Sequence, residues 1–318
     1  MTRALAASVA DVQASQTAPA AVDPLSPGER REIVRRILHW YGHNARDLPW
    51  RRPNATPWQV MVSEFMLQQT PVERVREPWR VWVERWPTPA ALAAAPAGEA
   101  VRAWGRLGYP RRALRLHAAA STITDQHDGK VPADKEVLVR LPGVGAYTAA
   151  AISTFAYSRR EVVLDTNVRR VLGRVSAGLA LPPPTVTAAE SVQAHEFLPR
   201  QGGHAARWAV ASMELGALIC TARAPRCPSC PVSDLCRWRR SGFQTSVGRR
   251  RRSQTYEGTD RECRGALLAA FRARDEPLSS RALAEYWPDA TQRSRALASL
   301  ITDGLVITGK NGHYRFPG

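Results

Sequence analysis

A chain of 318 residues with ordinary aliphatic and aromatic content holds enough apolar material for one large or two smaller cores, which excludes disorder throughout. Its net charge of +17 is carried almost wholly by arginine, the only lysines being Lys130, Lys135 and Lys310. A GC-rich genome explains arginine over lysine but not cations over anions, so a polyanionic partner is expected, nucleic acid first. No run approaches the roughly 20 apolar residues of a membrane span, so no membrane association is expected.

Residues 1–26, rich in Ala, Ser, Thr and Gln and without an apolar signal core, are expected to be a disordered tail. The expected setting is therefore cytoplasmic and, with this charge, nucleoid-associated. Five cysteines in such a reducing compartment are metal ligands or free thiols rather than disulfides. Ser26-Pro27-Gly28-Glu29 has the pattern of a helix start. From residue 27 to 240 helical patterns alternate with short Pro/Gly breaks, such as Leu107-Gly108-Tyr109-Pro110, and strand alternation is almost absent. The expectation is one all-α domain.

Three stretches of that domain stand out. Glu64 interrupts the apolar helical run Met61 to Met66; alone it would be a surface or paired residue. Leu141-Pro142-Gly143-Val144-Gly145 separates two helical patterns. Its glycines let a backbone approach a phosphate, and the next helix adds free N–H groups. Cys220, Cys227, Cys230 and Cys236 follow the spacing C-x6-C-x2-C-x5-C, dense enough to surround one centre, either tetrahedral zinc or a cubane cluster. Cys263 lies outside the pattern and has no assigned role.

Residues 241–260, with Arg249 to Arg252 in series, form an expected basic linker. Beyond it, helical patterns over 261–273, 279–286 and 291–303 precede two short apolar runs, 305–308 and 313–316, around Asn311-Gly312, a hairpin signal. Residues 261–318 are thus expected to be a small winged-helix-like domain.

The chain resembles the endonuclease III and MutY family of DNA glycosylases from about Leu48 to Trp238. The run Leu141–Ile152 is similar to that superfamily's helix-hairpin-helix. Asp165, in Val163-Leu164-Asp165-Thr166-Asn167-Val168, stands where the family has its aspartate. The cysteine spacing is similar to the family's cluster loop (residues 220–236), and Met61–Thr70 looks like the MutY stretch holding the catalytic glutamate. Trp50-Arg51 and Trp104–Tyr109 match neighbouring motifs.

The resemblance implies a helix-hairpin-helix glycosylase fold and a [4Fe–4S] cluster on the four cysteines, with Arg223 and Arg226 of its loop toward the DNA backbone. The implied activity is hydrolysis of the N-glycosidic bond of adenine mispaired with 8-oxoguanine or guanine in double-stranded DNA. It casts Glu64 as the acid that protonates the purine at N7 and Asp165 as the anion stabilising the sugar cation, an arrangement like the carboxylate pair of glycoside hydrolysis. Tyr147 and Asn167 would position these groups. Gln69 and Tyr109 would wedge the base stack, with Thr70 and Arg51 near the mismatch and Gly143, Val144 and Gly145 on the backbone.

Two departures qualify the likeness. Pro110 replaces a second tyrosine at the wedge, and Arg261 to Gly318 is too short for the Nudix-like domain that helps typical members recognise 8-oxoguanine. Three rival readings follow from the same residues. A bifunctional endonuclease III would need an amine nucleophile where this chain has Tyr147. A mismatch thymine or uracil glycosylase shares the tyrosine and aspartate but not the surroundings of Glu64. A non-catalytic DNA-binding regulator would give the two carboxylates no special part.

Overall fold

Side-chain caps open most of the helices. Ser26 starts α1 (Pro27–Asn44) with a reciprocal capping box to Glu29, and Thr56 does the same through Gln59 for α2 (Pro57–Leu67). The chain continues through α3 (Val72–Arg85), α4 (Pro89–Ala93), α5 (Ala97–Trp104), α6 (Arg111–Gln126) and α7 (Lys135–Leu138) to α8 (Ala146–Tyr157). Asp165 caps α9 (Thr166–Ser176), and α10 (Ala188–Glu196) leads to α11 (Gly202–Leu218). The cysteine loop runs from there to α12 (Arg237–Arg240). This computed structural model describes residues 25–244 and 256–318, so the expected tail before residue 25 and the Arg249–Arg252 run lie outside the described residues. Among the described residues, no helix is long and apolar enough to cross a membrane.

Two cores flank the middle of the chain. One gathers Trp58, Phe65, Trp79, Trp82, Trp104 and Leu116 from α2, α3, α5 and α6; the other gathers Ile33, Ile37, Leu172, Trp208 and Leu215 from α1, α9 and α11. Between them runs α8, whose residues Thr148 to Thr154 are all buried. A helix apolar on every side is a central one, and α8 packs on α2 and on α11. Its exposed N-terminus therefore opens between the two halves.

The C-terminal segment holds α13 (Asp260–Ala273), α14 (Ser280–Ala284), α15 (Ala290–Thr302), β1 (Ile307–Thr308) and β2 (Tyr314–Arg315). The strands pair antiparallel, Ile307 with Arg315 and Thr308 with Tyr314. Asn311 and Gly312 turn the chain with φ of 60° and 72°. Each strand is two residues rather than four, because core burial claims the flanks. Leu305 and Val306 are fully buried, and Phe316 leaves the ladder to meet Phe271 with ring centres 5.7 Å apart. Buried residues of this segment join the first core. The junction is tight: Gly98 N–H donates to the Pro317 carbonyl at 2.7 Å, and a Cβ at Gly98 would lie 2.3 Å from that oxygen.

Candidate active site and cysteine loop

The centre of α2 is apolar all round, and Glu64 sits within it only 6% exposed. Burial pushes its carboxyl up to about 7; the Arg51 charge pulls it down, Asp165 pushes it up, and a hydrogen bond from Tyr147 lowers it. Tyr147 comes from the first turn of α8. Burial first, then the neighbouring Glu64 and Asp165, raise its phenol well above the usual tyrosine value, so it stays a neutral donor. Asp165 is the cap of α9: one carboxyl oxygen accepts the Val168 N–H at 2.6 Å, and the other accepts the Asn167 amide at 2.7 Å. Burial raises the Asp165 carboxyl, and these two hydrogen bonds oppose the rise. Glu64, Tyr147, Asp165 and Asn167, spread over a hundred residues of sequence, thus come together where α2, α8 and α9 meet.

Arg51 reaches the same place under restraint. It donates to Glu214 of α11 at 2.8 Å, while Arg46 grips the same carboxylate with bonds of 2.6 and 2.9 Å. Glu214 is fully buried, and despite burial the two guanidinium partners hold its carboxyl below the usual range. Sequence reasoning missed Arg46 and Glu214; the signal available was an acid on the apolar helix before the cysteines. On the neighbouring turn of α11, a Cβ at Gly216 would stand 2.7 Å from the Asn167 Cβ. Glycine there lets α11 close on the start of α9, where Arg170 ties the Asn167 side chain (2.7 Å) to the Gly216 and Cys220 carbonyls (2.7 and 2.6 Å).

Gln69, Thr70 and Tyr109 form a second group, organised by a residue that sequence reasoning also passed over. Arg112, 5% exposed, donates to the carbonyls of Phe65, Met66, Gln68 and Gly108 and to the Thr70 hydroxyl. Burial among neutral acceptors lowers its guanidinium to about 10. It staples the turn after α2 to the loop before α6 and lies 5.5 Å from the Tyr109 ring centre. Gln69 and Tyr109 are exposed, each in the left-handed region with φ of 53° and 46°. Thr70 is buried and serves the staple rather than the surface.

In the hairpin, Gly143 has φ +78°, and a Cβ there would fall 2.7 Å from the Arg115 Cβ. Val144 is buried, and its N–H closes the turn on the Leu141 carbonyl at 3.1 Å. The groups left facing outward are Gly145, which begins α8 without a side-chain cap, and the first N–H groups of that helix.

Cys220, Cys227, Cys230 and Cys236 all line one cavity with Arg174, Leu215, Ile219 and Trp238. Among the described residues, no three His, Cys, Asp or Glu side chains converge as ligands of a single ion. Burial pushes the Cys230 thiol up to about 12 and raises Cys227 and Cys236 as well. Four thiolates in such a site need a cationic metal centre, and the donor set fits a cubane. Arg174 approaches from the last turn of α9, donating to the Cys220 Sγ at 3.4 Å and stacking 4.2 Å from the Trp238 ring centre. In the loop, Arg223 is exposed, and so is Arg226. Its guanidinium caps the Leu218 carbonyl, which α11 leaves without a helical partner.

Comparison with known proteins matches residues 62–194 to the HhH-GPD superfamily of base excision DNA repair proteins and residues 220–236 to the iron-sulfur binding domain of endonuclease III. The chain is 48% identical over 297 residues to an adenine DNA glycosylase of Mycobacterium tuberculosis, spanning 93% of this chain and 97% of that one. It is 50% identical over 283 residues to an adenine DNA glycosylase of Mycolicibacterium smegmatis, spanning 89% and 95%. Among solved structures, a thermostable thymine-DNA glycosylase aligns with a TM-score of 0.60 at 25% identity, covering 67% of this chain and 98% of that one.

Proposed function

This chain belongs to the adenine DNA glycosylases of the HhH-GPD superfamily, and we propose that it excises adenine mispaired with 8-oxoguanine or guanine from double-stranded DNA. One observation carries the reading: a buried carboxyl held near neutrality at Glu64, beside Tyr147 and within the field of Asp165. Adenine is a poor leaving group and must first leave the stack. Gln69 and Tyr109 are suited to fill the gap, both exposed and preset by Arg112. Protonated Glu64 donates to N7 of the extruded purine while the glycosidic bond breaks, its electron pair leaving with adenine. The Asp165 carboxylate faces the resulting oxocarbenium-like sugar, water adds at the cationic carbon, and a proton is released. Asn167 fixes the Asp165 carboxylate, and Arg51, itself held by Glu214, sets the field at Glu64. The [4Fe–4S] cluster on the four cysteines supplies a rigid cross-link of its loop. The substrate is the cell's own DNA, which puts the enzyme in the cytoplasm at the nucleoid.

The test is excision on duplexes containing A opposite 8-oxoguanine, A opposite G, T opposite G and U opposite G. Adenine release from the first two, with no borohydride-trapped adduct, is the expected result, because Tyr147 supplies no amine for a Schiff base. Preferential release of thymine or uracil would overturn the substrate assignment, and efficient trapping the monofunctional one.

The pH dependence has a definite sign. Glu64 acts in its protonated form, and its carboxyl titrates at about 7. The single-turnover rate should therefore level off below that pH and fall about tenfold per unit above it. A rate independent of pH between about 6 and 9 would exclude Glu64 as the acid.

A further inference from the structure

Around the exposed loop that carries Tyr109, cations gather from both sides of the junction with the C-terminal segment. Arg102 of α5 crosses that junction, donating to the carbonyls of Phe271 (3.1 Å), Arg272 (2.8 Å) and Arg274 (3.3 Å). Its charge is answered by Glu99 and Asp275, each at 3.3 Å. Arg111, next to the loop, is answered by Asp303, which Arg264 of α13 also holds at 2.6 Å. These pairs fix α13 and the end of α15 against α5 and α6.

Two guanidiniums in this setting have no answer. Neither Arg106, exposed three residues before Tyr109, nor Arg272, half-buried at the end of α13, has an ion-pair or hydrogen-bond partner for its side chain among the described residues. The Arg272 Nε is buried with no acceptor. Arg74 adds a further cation by donating to the Arg106 carbonyl. Burial lowers the Arg272 guanidinium, and the nearby charges of Arg106 and Arg102 lower it further. Unpaired like charges at a packed junction destabilise the free protein, since a lost acceptor leaves a buried donor at its full desolvation penalty. An apolar side chain would serve packing better.

We infer that Arg106 and Arg272 form a phosphate-binding site shared between the glycosylase helices and the C-terminal segment, and that it takes a backbone phosphodiester of the duplex beside the step entered by Tyr109. A phosphate satisfies both guanidiniums at once, through charge-assisted bonds in the geometry that arginine favours. The C-terminal segment thereby becomes part of the DNA-binding surface. The inference rests on the DNA-glycosylase reading, but its test is binding rather than excision.

Arg106→Met and Arg272→Met should each weaken binding to undamaged and mismatched duplex alike, by about tenfold. Each should also reduce the slope of log affinity against log salt by about 1, as expected when one phosphate contact is lost. Thermal unfolding should be unchanged for Arg106→Met and unchanged or raised for Arg272→Met. If either variant, folded, keeps the wild-type salt slope, the site is refuted, and weaker binding at an unchanged slope refutes it too. Arg106 is exposed, so its variant keeps the test decisive should Arg272→Met fail to fold. A wild-type protein that binds duplex but releases no adenine would defeat the functional proposal while leaving this measurement intact.

Discussion

Glu64→Gln is expected to slow single-turnover adenine excision by about 100- to 10,000-fold while mismatch affinity is retained. Glutamine keeps the shape of the side chain and can still accept the Tyr147 hydroxyl, but it has no proton to give the purine. Asp165→Asn is expected to fall in the same range for a different reason. Asparagine can still accept the Val168 N–H and so keep capping α9, yet it brings no negative charge to the sugar. Its amide would face the Asn167 amide less favourably, so unfolding should be measured on the same preparation. Neither side chain lies at the outward-facing turn before α8 or on the exposed Tyr109 loop, and loss of a carboxylate beside phosphates can only favour binding. Near wild-type rates in both variants would remove these residues from the mechanism. Parallel loss of binding and excision would make them structural.

Affinity for undamaged duplex should fall by about 1,000- to 100,000-fold between 50 and 200 mM salt if six to ten phosphates are neutralised. Much of the acidic surface is already committed. Glu32 pairs with Arg35 and Arg36, and Glu77 and Glu84 both pair with Arg80. The surplus of basic over acidic residues, +17 for the chain, therefore remains available to a polyanion. Excision by enzyme already saturated with substrate should depend on salt far less, because Glu64 is buried from the ions that screen the surface and Tyr147 is half-buried beside it. The measurement is a titration of labelled duplex at several salt concentrations. An affinity indifferent to salt would mean that the positive charge has another purpose.

Local signals carried much of this site in the sequence, and long-range ones carried little. The cysteine spacing, the Leu141–Gly145 turn and the helix start at Asp165 are each written within a few residues, and each lies where its local chemistry puts it. Glu64 was legible only through resemblance, because an acid in an apolar helix declares a function only once its neighbours are known. Arg112 shows the limit most clearly. In a chain this basic, any arginine reads as a surface cation, yet this one is buried among carbonyls contributed by residues 44 to 47 positions away and the hydroxyl of Thr70, 42 positions away. The clamp of Arg46 and Arg51 on Glu214 spans still more of the chain and leaves no periodic trace. The short strands have a similar explanation. Leu305, Val306 and Phe316 read as ladder residues, but the core claims all three.

The left-handed backbones of Gln69 and Tyr109 bear on how the enzyme would search. Outside glycine such a conformation costs about 1 to 2 kcal/mol per residue, and here it is maintained by bonds from one buried guanidinium to the turns on either side. The two exposed side chains are therefore already pointed outward before any DNA arrives. A loop that had to order itself would lose conformational entropy at every base step it interrogated, sound or damaged. With the loss absorbed once, when the protein folds, sliding past an intact pair becomes a matter of side-chain rotation. Patrol of a long, mostly undamaged duplex can then proceed at the pace of side chains rather than of loops.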